Sequence, residues 1–345
     1  MLGPALNVLS AVHLNSNEVT LSTSPDAACT ARVPHEIAPA WAAVASRRSP
    51  ASIFLTPEWI AVARAHDRRE QITLAAGDPP GAIAALARDA DGTIHFAGGE
   101  LTDEQDVVAA PEEARAGAIA IARCIASERA PRVLLEYVPE DSPTLEAIDE
   151  ELRPAGYQVR RERLVTSPRI ALASSYEAYV QSLGKKERHE LRRKLRRFEA
   201  APRTGFRWAS DAERAAVLDR FFALHRLSKG EKAAFMTSET ESFFRDIADA
   251  LASRGWLRLG VVHAHDEDAA VVFAFAYRDT LALYNAAYDP ALASLSLGIA
   301  SHSYAVREAI AQGFKTYDLL RGDEPYKYDL GAVDRWLGKL VAVRA

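Results

Sequence analysis

One order of elements, strand, strand, strand, helix, strand, is written into this chain twice, and that recurrence constrains the fold more than any other feature. Alternating and apolar runs in the first copy predict strands over 72–76, 82–88 and 93–97 with a turn at Asp91-Gly92, a helix over 111–128 and a strand over 132–138. A helix capped by Ser142, with Leu145, Ile148 and Leu152 on one face, leads to an exit at Gly156, and the copy closes near Thr166. The second copy predicts strands over 256–263, 269–278 and 281–287 with a turn at 265–268, a helix over 298–312 and a strand over 315–320. Ahead of it stand a basic helix and two amphipathic ones. The first amphipathic helix starts at Asp211 and turns Val217, Leu218, Phe221 and Phe222 inward. The other starts at Ser238, with Glu241 completing a capping box and Phe243, Phe244, Ile247 and Leu251 inward. No residue-by-residue identity links the copies, so the repeat lies in element order and points to an old duplication. The expected fold class is α/β (α+β): two half-domains, each a mixed, largely antiparallel sheet with packed helices. The expected divisions are a flexible tail over 1–30 and domains over 31–167 and 168–345.

Composition agrees with two such domains. A chain of 345 residues, 48% hydrophobic and 26% charged, is ordinary globular material, and its length favours two domains over one. A formal charge of -5 argues against a general polyanion binder, and no DNA partner is expected. Two cysteines, Cys29 and Cys124, make neither a disulfide framework nor a zinc cluster; a reducing compartment and no metal are the expectation. The first 30 residues lack a cationic segment followed by an unbroken apolar one, and no later stretch nears the ~20 apolar residues that span a bilayer. A soluble, cytoplasmic protein is expected.

Four stretches in the second half carry a recognisable pattern: Tyr284-Asn285-Ala286-Ala287-Tyr288-Asp289-Pro290, Ser296-Leu297-Gly298, Gly313-Phe314-Lys315-Thr316-Tyr317-Asp318 and Arg321-Gly322-Asp323-Glu324-Pro325-Tyr326-Lys327. Pro57-Glu58-Trp59 and the segment from Leu101 through Asp106 add to it. The whole resembles the FemAB-like branch of the GNAT superfamily, including CelD-like and BioF2-like acetyltransferase-domain proteins, over nearly all the chain from Trp41 onward. The Arg-Gly-Asp-x-x-Tyr-Lys element is its most specific part. The Gln/Arg-x-x-Gly-x-Gly/Ala phosphate loop of ordinary GNAT enzymes is absent, and Gly298 alone stands in its place.

The resemblance implies an N-acyltransferase with acetyl-CoA or another acyl-CoA as co-substrate. The acceptor it implies is an amino group of a sugar, lipid or cell-envelope precursor, as in polysaccharide biosynthesis. One alternative is transfer from aminoacyl-tRNA. It is disfavoured because the long helical hairpin of many bridge-forming Fem enzymes has no counterpart, the basic run being followed within a few residues by Pro202. Another is a catalytically inactive ligand-binding module, against which retention of Arg321, Asp323, Tyr326 and Lys327 counts.

Ser296, Leu297, Gly298 and Ile299 sit where a strand runs into a helix, so their backbone N–H groups and the helix dipole suit donor phosphates; a plain N-cap is the simpler reading. Arg321 joins them as a donor-binding residue. Acyl transfer needs an oxyanion donor and a proton acceptor. The resemblance implies Lys327 for the oxyanion, through its aromatic-Lys-x-x-x-Gly context; a lysine fixing the loop through Asp318 or Asp323 is the alternative. The base stays open among Asp318, Asp323, Glu324 and His302. Tyr284 and Tyr288 alternate towards one face of a strand and, with Tyr326 and His302, are candidates to line the acyl or acceptor pocket. Asp103 and Asp106 correspond by resemblance to acidic positions near the acceptor site of Fem transferases. Lys185, His189, Arg192 and Arg196 make a cationic stripe in the basic run over 185–197. It suits CoA phosphates, an anionic lipid or glycan acceptor, tRNA or weak association with an anionic surface, or it is a solvated face balanced by Glu187, Glu190 and Glu199.

Overall fold

The computed structural model describes residues 28–228 and 234–345. The expected tail lies outside them up to residue 27. Its last residues are not tail, because β1 (Cys29–Ala31) pairs antiparallel with β2 (Glu70–Ala76). Backbone pairing thus extends the first sheet past where composition suggested it began.

That sheet continues through β3 (Ala82–Arg88), β4 (Ile94–Phe96), β5 (Val108–Ala109), β6 (Arg132–Pro139) and β7 (Tyr157–Thr166). The stretch after Gly156, which carried no strand expectation, is this last strand. The second sheet comprises β8 (Arg169–Ala171), β9 (Gly205–Trp208), β10 (Leu257–Ala264), β11 (Glu267–Tyr277), β12 (Thr280–Tyr288) and β13 (Thr316–Asp318), in spatial order β8-β13-β12-β11-β10-β9.

The chain leaves the first sheet after Thr166 and enters the second at Arg169, then returns. Its final strand, β14 (Trp336–Arg344), lies between β6 and β7 and pairs antiparallel with both. A unit running unbroken from 168 to 345 is therefore corrected. The connection from β6 through α4 (Thr144–Leu152) to β7 leaves a slot one strand wide, and β14 fills it with Leu337, Leu340 and Ala342 buried.

Helices cover three levels around the two sheets. On the outer face of the first sheet, α3 (Ala114–Ser127) and α4 bury Ile121, Ile125, Ile148 and Leu152 against Leu86, Val133 and Leu340. On the outer face of the second, α5 (Tyr176–Ser182), α6 (Lys185–Glu199) and α9 (Leu297–Ala311) cover Val262, Val272 and Leu283. Between the sheets lie α1 (Pro34–Arg47), α2 (Pro57–Ala65), α7 (Arg214–Leu227) and α8 (Ser238–Ala252), in one apolar cluster with Ile83 of the first sheet and Phe273 and Phe275 of the second. The halves thus share a core.

Helix starts follow local chemistry. Ser210 and Glu213 form a reciprocal capping box ahead of α7. The cap of α8 is Thr237, whose hydroxyl accepts the Thr240 N–H at 3.2 Å, one residue before the expected Ser238. Glu241 completes no box there: its carboxylate is taken by Arg226 and Arg245. The basic helix α6 buries only Leu191, Leu195 and Phe198. No described helix is long and apolar enough to cross a membrane.

Candidate active site

The parallel pair β12 and β13 is in register only from Thr280–Ala282 against Thr316–Asp318. Beyond that point β12 runs on to Tyr288, while the other chain turns away at Leu320, a left-handed residue with φ of +56°. Asp318 fixes the turn, its Oδ1 accepting the Leu320 N–H at 2.9 Å. The strands part and leave a cleft of about 490 Å³ with Leu283 to Ala286 on one wall and Leu319 to Arg321 on the other. His302, Tyr326 and Lys327 line it from the second half, and Asp103 reaches it from the first.

A β-bulge shapes the β12 wall. Phe273 opposes Asn285 and Ala274 opposes Leu283, so Tyr284 is the extra residue. Tyr284 and Tyr288, expected on one face, consequently lie on opposite faces. Tyr284 packs with Trp59, Phe244 and Phe275, and its hydroxyl donates to the Leu101 carbonyl at 2.8 Å. Burial raises its phenol far above the ordinary value, so it stays protonated. Tyr288 is 40% exposed and lies on the side of Gly298, outside the residues lining the cleft.

Arg321 and Asp103 join the two halves at the cleft. The guanidinium donates from Nε at 3.0 Å and sits with Nη2 at 2.9 Å from the Asp103 carboxylate, and the Arg321 backbone N–H adds a bond at 3.3 Å. The same guanidinium donates to the Glu100 carbonyl and stacks 3.9 Å over the Tyr137 ring. It is a latch between halves: Nε and Nη2 end on Asp103 and the Glu100 carbonyl and Nη1 lies 3.7 Å from the Glu100 carboxylate, in place of the donor-phosphate role expected for it. Burial raises the Asp103 pKa, outweighing the pull of Arg321 in the other direction.

Lys327 is buried, and its ammonium donates to the carbonyls of Leu320 at 3.0 Å, Arg321 at 2.7 Å and Gly322 at 3.1 Å, with Glu324 at 3.0 Å. An ammonium has three donors, and all three end on this loop. The oxyanion role is corrected on that ground: Lys327 holds the wall of the cleft in shape. Its partners are carbonyls and Glu324, where Asp318 or Asp323 had been the alternatives.

The base candidates separate in the same way. Asp318 is 3% exposed and bound to Arg169 at 2.6 Å as well as to the turn, so it anchors and does not face the cleft. Asp323 is exposed and lies outside the lining residues. Glu324 lines the cleft but holds Lys327. His302 is buried, stacked on Tyr326 with ring centroids 5.1 Å apart, and has Nδ1 3.3 Å from the Tyr317 hydroxyl. Asp106 is withdrawn from the site: Arg48, Ser142, Thr144 and the Val107 N–H satisfy it away from the cleft.

Behind the latch lies a buried network of three arginines and three carboxylates. Glu104 meets Arg335 at 2.5 Å, Arg169 at 3.2 Å and Arg48 at 3.2 Å; Arg48 also pairs with Asp106 at 2.7 Å, and Arg169 with Asp318. Burial raises the Glu104 carboxyl, but Arg335, Arg48 and Arg169 together more than offset that and hold it down at about 2.

At the far end of β12, Ser296 is the residue before α9, left-handed with φ of +56° and with no side-chain cap bond; its hydroxyl accepts from Arg197 of α6. The backbone N–H groups of Leu297, Gly298 and Ile299 open the helix behind it, and a Cβ on Gly298 would meet nothing nearer than Tyr288 at 3.9 Å.

Two residues escaped the sequence reading. Asn285 lies in the stretch from Tyr284 to Pro290 without an expected role; its Oδ1 is 3.0 Å from Nε2 of His225, which is 1% exposed, and both line the cleft. That contact occupies the amide oxygen, and no partner of its NH2 lies among the described residues. The available signals were an amide inside an apolar strand and a histidine on the inner face of α7, four residues after Phe221.

Residues 185–328 match the family model described as acetyltransferase (GNAT) domain. No curated protein sequence matches the chain. Among solved structures, FemX superposes with a TM-score of 0.64 at 12% identity, covering 90% of this chain and 96% of that one. The C-terminal domain (DUF2156) of a putative lysylphosphatidylglycerol synthetase from Agrobacterium fabrum gives 0.59 at 11%, covering 91% and 93%. L-PGS from Bacillus licheniformis gives 0.53 at 13%, covering 84% and 91%. The half that holds the cleft therefore matches a GNAT-type acetyltransferase domain over residues 185–328, and along most of its length the chain shares its fold with FemX and these two other structures.

Proposed function

We propose that this protein transfers an acyl group from a CoA thioester to an amino group of a sugar, lipid or cell-envelope precursor. The parting of β12 from β13 carries the reading. It leaves the β12 edge beyond Ala282 without a strand partner among the described residues, a place where an extended, amide-bearing arm adds like a strand. The phosphates of such a donor then fall towards the start of α9 and Arg197.

In the reaction the amine attacks the thioester carbonyl, a C–N bond forms, the C–S bond breaks and the thiolate leaves with a proton. The NH2 of Asn285, without a partner among the described residues and with its oxygen on His225, is the donor for the tetrahedral oxyanion. Asp103 receives the amine proton: it lies where the cleft meets a second one between the halves, and burial makes it more basic than an ordinary carboxylate. Purified protein with acetyl-CoA and longer acyl-CoAs should show thermal stabilisation and amine-dependent thiol release; no stabilisation by any CoA species refutes the proposal.

A second reading, transfer from aminoacyl-tRNA, draws on α6, where Lys185, Lys186 and Arg196 are exposed with no carboxylate partner among the described residues. Salt-dependent tRNA binding lost on reversing those charges would favour it.

A further inference from the structure

The second cleft, about 440 Å³, opens between the halves and shares Asp103, Tyr284, Asn285 and Arg321 with the first. Its charge is lopsided. Among the described residues, Glu100, Asp103 and Arg321 are the ionic ones lining it, two negative and one positive, and Arg321 is already committed to Asp103, the Glu100 carbonyl and the Tyr137 ring. Among the described residues lining it, an anionic acceptor would find no uncommitted cation. An ammonium would find Glu100 at the mouth, its side chain 81% exposed, and Asp103 further in. Between them the walls are Leu164, Val165, Phe235 and Phe244.

Tyr137 sets the shape of this space. It is a left-handed residue with φ of +58° inside β6, a conformation that costs a side-chain-bearing residue energy and that the surroundings must hold. Its hydroxyl donates to Glu100 Oε2 at 2.8 Å, its carbonyl accepts the Gln105 N–H at 3.1 Å, and its ring backs Arg321. The strained residue thus holds Glu100 at the entrance and lays its ring against the guanidinium.

We infer that this second cleft is the acceptor site and that it selects a primary amine on an apolar body, rejecting amines that carry phosphate or carboxylate. A volume of this order holds one small-molecule moiety. The inference rests on the reading that the first cleft takes the acyl-CoA, and it narrows the acceptor to an aminolipid-like or arylalkyl amine.

The test compares phenethylamine with glucosamine 6-phosphate as acceptors at fixed acetyl-CoA. Binding of each amine to the donor-free protein is measured by calorimetry, and CoA stabilisation by thermal shift. Phenethylamine should be preferred at least tenfold in kcat/KM. Glu100→Lys, at an exposed position, should lower its kcat/KM by tenfold or more while leaving the CoA shift in place. Equal or better use of glucosamine 6-phosphate, or an unchanged preference in Glu100→Lys, overturns the inference even where CoA binds. If no CoA species binds, the donor reading falls by itself, and the same amine preference in calorimetry, lost in Glu100→Lys, still upholds the cationic site; equal binding of both amines overturns it.

Discussion

Replacing Glu104 by Gln removes one charge from the network that ties three distant segments together. Glu104 is 4% exposed and faces Arg48 after α1, Arg169 in β8 and Arg335 ahead of β14. Burial opposes its ionisation, yet the arginines hold its pKa at about 2 against an ordinary 4.5. At about 1.4 kcal/mol per unit, that difference is worth roughly 3 kcal/mol at neutral pH. Breaking a buried ion pair from one side costs a similar ~3–5 kcal/mol. Urea denaturation at pH 7 should therefore show Glu104→Gln less stable by about 3 kcal/mol. Because the folded pKa is depressed, the contribution is complete above the unfolded value near 4.5 and drains away as pH falls towards 2. The gap between wild type and variant should close over that window. A loss under ~0.5 kcal/mol at pH 7, or a gap that persists undiminished in acid, refutes the reasoning.

Other substitutions separate clamps from chemistry. Lys327→Met strands three loop carbonyls and should cost about 3–5 kcal/mol in denaturation; an unchanged midpoint with kcat down ~10²-fold would instead restore Lys327 to the oxyanion. Asn285→Ala should lower kcat by about 10²–10³-fold with little change in KM for acyl-CoA, and full activity would remove it from the mechanism. Wild-type activity should rise with pH as the Asp103 carboxyl, its pKa raised by burial, loses its proton; Asp103→Asn should erase that limb and about 10²-fold of rate, with CoA stabilisation retained. In Gly117→Ala the new Cβ would sit 2.5 Å from the Ala82 Cβ, so thermal melting should drop by an amount equivalent to about 1–2 kcal/mol despite alanine's better helix propensity.

Local patterning reached most of the elements because strand alternation and helix stripes are written residue by residue. The apolar faces of α7 and α8 came from Val217, Leu218, Phe221 and Phe222, and from Phe243, Phe244, Ile247 and Leu251, all of them buried. It missed β14 altogether, where no strand was expected and nothing local in Leu337, Leu340 and Ala342 says which sheet they join. It failed again at Tyr284 and Tyr288, where period-two counting assumes an unbroken ladder and a single bulge residue reverses the facing.

The candidate site divides along the same line. Its segment was legible: Asp318, Arg321, Tyr326 and Lys327 stand within ten residues of one another, and all but Asp318 line the cleft. Roles were not, because a role depends on which partners a side chain meets in space. Lys327 and Asp318 are spent on loop carbonyls, a turn and Arg169, while Asp103, 218 residues from Arg321 in sequence, closes the cleft against it.

By itself the sequence determined the repeated order of elements, their amphipathic faces and the stretch of chain where the chemistry gathers, since each depends on neighbours a few residues apart. Only the tertiary structure decided that the last strand returns to the first sheet, that the halves share one core, and which charged groups remain free for a ligand. Those outcomes depend on the pairing of groups far apart in sequence under burial, where an unpaired donor or carboxylate is costly.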